Sequence, residues 1–153
     1  NEGVVHALHV AGGPEFSRKQ IDAFTEIAKK QGLGGLAYMT VGDEIESPIL
    51  KFLGEDIAKQ IVERVQAQKG DMIFFGAGEW LSVCKALGDV RKASAQILGV
   101  LESEVIKNQA AWCWVVDFPM YEKNADTGEI DFSHNPFSMP QGGLEALQNQ
   151  DPS

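Results

Sequence analysis

The residue of this sequence best placed to do chemistry is His134, which stands between a predicted strand and the pair Asn135-Pro136. Proline restricts the residue before it to extended backbone, so this histidine lies on a stiff strand exit. From there its ring can donate a hydrogen bond to a carboxylate ligand with little loss of conformational entropy. A histidine that only caps a turn is the alternative, and the local sequence leaves both interpretations open.

The other titratable groups give weaker patterns. His6 and His9 are three apart in a predicted strand, so their side chains point to opposite faces, which disfavours a shared metal. Motifs of serine hydrolases, zinc proteases and nucleotide-binding glycine loops are absent from the sequence. Four carboxylates near a predicted hairpin are interpreted as solvated turn residues rather than acid, base or metal groups: Asp117, Glu122, Glu129 and Asp131. The residues alone therefore predict neither a catalytic residue nor a metal site.

Residues 1–108 show alternating strand and helix patterns. The order is strand, helix, strand, helix, strand, helix, which predicts a compact layer of helices on a small sheet. Strands are predicted at 4–10, 36–41 and 72–75, and the last of these is a fully apolar run typical of a central or well-covered strand. Helices are predicted from Ser17 to Gly32, from Ile57 to Val65 and from Glu79 to Gly99, and Ser17 and Gln20 have the spacing of a capping box. The buried face of the third helix is predicted to comprise Trp80, Val83, Cys84, Leu87, Val90, Ser94 and Ile97.

Residues 109–153 have a different character. The run from Ala111 to Tyr121 is rich in aromatic residues and is too long for one isolated edge strand, so it needs a hydrophobic surface to cover it. After a turn at 124–128, Ile130 to Phe132 alternates like a returning strand, which predicts a hairpin. Residues 148–153 show no closing element, which favours a piece cut from a larger protein.

The amino-acid composition and charge limit the classes of protein to which this chain can belong. Of 153 residues, 44% are hydrophobic and 23% charged, which is typical of a globular chain. A net charge of -9 gains nothing from counterion release, so strong nucleic-acid binding by this chain itself is not expected. No apolar stretch is long enough to span a membrane and no signal peptide pattern is present, which predicts a cytoplasmic protein. Cys84 and Cys113 are expected to be buried, reduced thiols.

Two stretches of the second segment resemble a known enzyme family. The run from Trp114 to Glu122 and the run from His134 to Pro140 resemble a segment of bacterial-type aspartyl-tRNA synthetases that is usually written Asp-Phe-Pro-Met-Phe-Glu and then His-His-Pro-Phe. The upstream part is similar to the large insertion of that family, often called the GAD domain. The similar runs are Ser17–Asp22, Gly35–Tyr38, Ser47–Ile49, Lys51–Leu53 and Gly70–Ala77.

The resemblance implies an α+β fold in two parts. Residues 1–108 would form a two-layer GAD (DCoH-like) insertion domain with a small sheet and three main helices. Residues 109–153 would supply antiparallel strands of a class II synthetase catalytic sheet, with a strand hairpin and an active-site loop. The parent enzyme would be a homodimer that uses ATP and magnesium to activate aspartate and then aspartylates tRNA.

The same resemblance implies a substrate-binding residue. His134 matches the first histidine of the family motif and would contact the substrate aspartate, with Asn135, Pro136 and Phe137 as pocket neighbours. Asn135 departs from the second histidine; it can donate a hydrogen bond but cannot become cationic.

The arginine-bearing motifs that bind ATP in the family are absent from this chain. We therefore expect the fragment itself to be inactive and to hold no ATP or magnesium. Two alternatives are a stand-alone GAD-type interaction module, related to the B subunit of the amidotransferase that acts on mischarged tRNA, and a small oligomerisation domain.

Overall fold

The computed structural model describes residues 3–12, 16–116, 119, 121–124, 127–133 and 142–149. The chain divides into two compact units, residues 1–109 and 110–153, and each is described by itself. The division predicted from the sequence, between residues 108 and 109, lies one position away from this structural one. None of the helices in the described part of the chain has the length and apolar character needed to cross a bilayer.

The first unit is built on a four-stranded antiparallel sheet with the strand order β1-β4-β2-β3. The strands are β1 (Val4–Val10), β2 (Ala37–Val41), β3 (Ile45–Glu46) and β4 (Asp71–Gly78). The apolar run from Met72 to Phe75 lies in β4, which pairs with both β1 and β2, so the prediction of a central strand there is confirmed. The two-residue strand β3 was not predicted, because it is too short to show a hydrophobic period.

Five α-helices of the first unit are described: α1 (Arg18–Lys30), α2 (Leu50–Leu53), α3 (Glu55–Arg64), α4 (Trp80–Ile97) and α5 (Glu104–Lys107). A 3-10 helix at Val100–Glu102 follows α4. The predicted capping box at α1 is confirmed, because the Gln20 amide donates to the Ser17 side chain and the Gln20 side chain accepts from the Ser17 amide. Glu79 caps α4 by accepting from the amides of Leu81 and Ser82. The four-residue helix α2 was not predicted from the sequence.

Strand alternation divides the core of the first unit between the two faces of the sheet. Met72 and Phe74 face α1 and α4, and Phe74 packs its ring against Phe24 and Phe16 with centroid distances of 5.5 and 6.3 Å. Ile73 faces the opposite side, where it packs in one cluster with Ala58 of α3. The apolar run of β4 is therefore buried on both sides, as expected of a strand with helices on each face.

The ends of α4 do not follow the sequence prediction. Trp80 and Ile97 were predicted on the buried face, but their side chains are 56% and 44% exposed. They are the first and last residues of the helix. Val83, Leu87, Val90 and Ser94 on the same face are buried as predicted, whereas Cys84 is half-buried.

The second unit contains a short hairpin and one helix. Strands β5 (Tyr121–Lys123) and β6 (Ile130–Phe132) pair antiparallel, with Tyr121 opposite Phe132 and their ring centroids 5.2 Å apart. The predicted hairpin is confirmed in this form. A helix, α6, spans Gly143–Asn149.

The aromatic run before the hairpin is not a strand in the part that the structure describes. Residues 111–116 adopt no regular secondary structure, and Trp112 and Trp114 are 94% and 95% exposed. A strand needs a neighbour for its backbone groups, and the described residues give this run none. For the same reason the prediction that Cys113 is buried is wrong; its thiol is free and exposed.

Candidate functional site

The hairpin leads directly into the predicted substrate-binding residue. Ser133 follows β6, and its hydroxyl donates a hydrogen bond to the carbonyl of Pro119, which stands before β5. This bond joins the two chain segments at the open end of the hairpin. His134, Asn135, Pro136 and Phe137 lie outside the described residues, so their predicted roles stay predictions.

The carboxylates of the hairpin are solvated. Glu122 lies opposite Asp131 in the strand register, and both are exposed. One oxygen of Asp131 accepts from the Phe132 amide at 2.8 Å, which is a local backbone contact. Within the described ranges, no group of three or more histidine, cysteine or acidic side chains could hold a metal ion. Asp117 lies outside those ranges.

A histidine-carboxylate pair in the first unit was not found by sequence reasoning. His9 Nε2 lies 2.8 Å from Asp71 Oδ2, and the Asp71 carboxylate also accepts from the amides of Gln68 at 2.8 Å and Gly12 at 3.3 Å. The sequence only disfavoured a metal shared by His9 and His6 and gave His9 no partner. Because 62 residues separate the two side chains in sequence, only the register of β1 against β4 brings them together.

The Asp71 carboxylate holds two chain segments together at one end of the sheet, residues 9–12 and residues 68–71. Burial by itself would raise the pKa of Asp71. The hydrogen bonds from the Gln68 amide, the His9 ring and the Gly12 amide outweigh that effect, so the pKa lies below its ordinary value of 3.8. The pair is therefore a structural clamp that requires the ionised carboxylate. The dipeptide Gly70-Asp71 indicates only a turn before β4, so no local signal in the sequence pointed to the pair.

Removal of this clamp is expected to destabilise the first unit. Asp71→Ala leaves the Gln68 and Gly12 amides without their acceptor, which should lower the free energy of unfolding by about 1–3 kcal/mol at neutral pH. Urea unfolding followed by circular dichroism measures the change. Asp43→Ala is the matched control, because Asp43 pairs with Lys69 on the surface with its side chain 88% exposed, and it should have little effect.

The pH dependence has a definite sign. A carboxylate whose pKa is lowered by folding contributes stability above its unfolded pKa, and this contribution disappears as the pH falls through the folded pKa. The difference between wild type and Asp71→Ala should therefore be full above about pH 5 and should shrink below the ordinary value of 3.8. A difference that is constant down to strongly acidic pH would contradict the clamp.

Comparison with known proteins assigns both parts of the chain. The family model described as the GAD domain matches residues 1–87. The aspartate-tRNA ligase of Streptomyces avermitilis is 48% identical over 150 residues, which cover 97% of this chain and 25% of the relative. That of Streptomyces coelicolor is 47% identical over 150 residues, with the same coverage.

A relative with a slightly different name has a similar identity and covers a similar part of the chain. The aspartate-tRNA(Asp/Asn) ligase of Chlorobium chlorochromatii is 43% identical over 148 residues, which cover 96% of this chain and 24% of the relative. The chain thus spans about a quarter of the length of the curated relatives it matches.

Proposed function

Because the chain belongs to the GAD domain family, and because its similarity to bacterial aspartate-tRNA ligases covers 97% of its length, we propose that it is an internal segment of such a ligase. The observation that best supports this proposal is the extent of that similarity. The GAD model ends at residue 87, whereas the aligned 150 residues continue through the hairpin and the His134 motif. A stand-alone module would not need these later residues.

In the proposed parent, aspartate is activated and then transferred. A carboxylate oxygen of aspartate attacks the α-phosphate of ATP, a new phosphorus-oxygen bond forms and pyrophosphate leaves. The ribose hydroxyl at the end of tRNA then attacks the aspartyl carbonyl, and AMP leaves with the bonding electron pair. His134 would donate to the substrate aspartate, with Asn135, Pro136 and Phe137 beside it.

The described hairpin supports this role by its geometry. The Tyr121-Phe132 ring contact and the bond from Ser133 to the Pro119 carbonyl fix both strands up to the residue before His134. A ligand-binding residue held by a supported strand end loses little entropy when it binds. The whole ligase would use magnesium together with ATP. The described residues offer no cluster of three potential ligands, and we assign no magnesium ligand among them.

The parent ligase would contain this segment as parts of two domains. Residues 1–108 would be its GAD insertion, related to the DCoH-like fold but with helices on both faces of the sheet instead of the two layers that the resemblance implied. Residues 109–153 would be a piece of its class II catalytic domain. The parent would be a cytoplasmic homodimer. The segment carries a net charge of -9, so by itself it would not bind nucleic acid strongly.

The segment alone should not activate aspartate. The sequence has no Phe-Arg-x-Glu or Gly-x-Gly-x-Glu-Arg stretch, so the arginines that would stabilise the charge developing on ATP are missing. We expect aspartate-dependent exchange of labelled pyrophosphate into ATP to stay at the no-protein level for the 153-residue chain. The full-length ligase from the same gene is the positive control. Exchange by the segment above background would contradict the proposal that it lacks a complete site.

A second candidate is a GAD-type interaction module related to the amidotransferase B subunit. The match of residues 1–87 to the GAD domain favours it, because a GAD domain by itself does not imply a catalytic domain. The two candidates differ in what they require of residues 110–153. If the gene encodes neither arginine motif outside this segment, the ligase assignment fails and the interaction module remains.

A further inference from the structure

The hairpin of the second unit is held differently at its two ends. At the turn, the Asn124 amide donates to the Glu129 carbonyl at 2.8 Å, and the Gly128 amide donates to the Asn124 carbonyl at 2.9 Å. At the open end, the last pair of the described ladder is Tyr121 with Phe132. Each strand has only three residues, and a two-stranded hairpin is at best marginally stable by itself. The open end therefore depends on contacts beyond the ladder.

A proline limits the backbone pairing at this open end. Pro119 has no amide hydrogen, so it cannot donate a hydrogen bond to the opposite strand. Its carbonyl can still accept, and it accepts from the side-chain hydroxyl of Ser133, which directly follows β6. The Ser133 side chain thus supplies a bond between the two chain segments that the proline cannot supply as a donor.

This bond joins the two runs that resemble the synthetase family. Pro119 lies within the run from Trp114 to Glu122, and Ser133 immediately precedes the run from His134 to Pro140. The two residues are 14 positions apart in sequence, and the hairpin brings them together. The Ser133 bond is therefore located where it can fix the backbone that enters the second run.

We propose that Ser133 is a positioning residue of the ligase, whose bond to the Pro119 carbonyl fixes the strand end that carries His134. It acts through His134 and does not itself touch aspartate. A loosely held side chain loses more conformational entropy when it binds a ligand, so support of the backbone beside it strengthens the contact. This inference rests on the proposed function and on the proposed contact of His134 with aspartate.

Loss of the Ser133 hydroxyl in the full-length ligase should weaken the use of aspartate. Ser133→Ala removes one neutral hydrogen bond, so KM for aspartate should rise about two- to tenfold. The change in kcat should be small, because looser positioning weakens the bound substrate and the transition state alike. KM for ATP should stay unchanged. Pyrophosphate exchange with aspartate and ATP titrated separately measures these values.

A pair of variants of nearly equal shape isolates the hydroxyl. Ser133→Thr keeps a donor at this position and should retain the wild-type KM for aspartate. Ser133→Val has the shape of threonine without the donor, so it should behave like Ser133→Ala. If threonine and valine give the same KM, the hydroxyl has no role and the proposal is wrong.

Ser47→Ala is the matched control for the loss of a serine hydroxyl. The Ser47 hydroxyl also donates to a backbone carbonyl, that of Tyr38 at 2.6 Å, but both residues belong to the first unit. The same substitution there should leave KM for aspartate and KM for ATP unchanged. Thermal unfolding of each variant shows whether it is folded.

A double-mutant cycle separates positioning from direct contact. Because Ser133 is proposed to act through His134, Ser133→Ala should have almost no further effect in the His134→Ala background. An equal effect in both backgrounds would show that Ser133 acts independently of His134, which would overturn the proposal. An unchanged KM for aspartate in Ser133→Ala, or an equal rise in KM for ATP, would also overturn it.

Failure of the ligase assignment gives a different result. In that case the wild-type full-length protein shows no aspartate-dependent exchange, and the role of Ser133 is rejected together with the assignment. If the wild type exchanges and responds to His134→Ala but not to Ser133→Ala, the ligase assignment stands and only the role of Ser133 is wrong.

Discussion

Replacement of His134 with alanine in the full-length ligase is expected to lower kcat/KM for aspartate by about ten- to over a hundredfold. The reason is the loss of one hydrogen bond to a charged group of the substrate, which is worth about 1.5–3 kcal/mol. The affinity for ATP should change far less, because the proposed contact is with aspartate alone. Pyrophosphate exchange with aspartate and ATP titrated separately measures both dependences.

The neighbouring residue provides the control for this prediction. Asn135→Ala removes a neutral group next to His134, so it should cost less than His134→Ala, since neutral hydrogen bonds contribute less than those to charged groups. The thermal unfolding temperature of both variants should match that of wild type. If His134→Ala leaves the aspartate dependence intact in a folded enzyme, the residue only caps a turn and the site assignment fails.

The parts of the fold that the sequence predicted are those with strong local signals. The run from Met72 to Phe75 is continuously apolar and bounded by turn residues, which indicated the central strand. Ser17 and Gln20 stand at the spacing of a capping box and fixed the start of α1. In both cases the physical cause acts within a few residues, so it can be read from the sequence.

The parts that were missed depend on distant residues. The pair of His9 with Asp71 exists only because β1 lies in register with β4, and nothing within a few residues of His9 indicates an acidic partner. Helical spacing predicted the face of α4 correctly in its middle, but it could not show that Trp80 lies beyond the covered surface.

The second unit also shows that a sequence pattern alone does not determine secondary structure. The aromatic run before the hairpin has the composition of a strand, but a strand forms only when a neighbour pairs with its backbone. In the described part of this chain, Trp112 and Trp114 have no such neighbour and are exposed. The hairpin forms because Tyr121 and Phe132 pair across a short turn and their rings pack against each other.

The largest expected effect on stability is that of Phe74→Ala. The Phe74 side chain is fully buried, and its ring packs edge-on against Phe24 with the two planes at 86°. Phe16 completes the cluster by packing against both rings. Truncation of a buried phenylalanine removes its transfer free energy and leaves a cavity, which together cost about 3–5 kcal/mol. That is a large part of the about 5–15 kcal/mol that stabilises an ordinary domain.

Urea unfolding of the 153-residue chain, followed by circular dichroism, measures this loss, and Phe52→Ala is the control. Phe52 undergoes the same chemical change, but its side chain is 78% exposed and its described ring contact is with Lys51, whose Nζ lies 4.9 Å from the ring centroid. An exposed contact of that kind contributes only about 0.5–1 kcal/mol. The midpoint should therefore fall steeply for Phe74→Ala and barely move for Phe52→Ala. Similar midpoints for the two variants would mean that the three phenylalanines do not form the core on which the first unit depends.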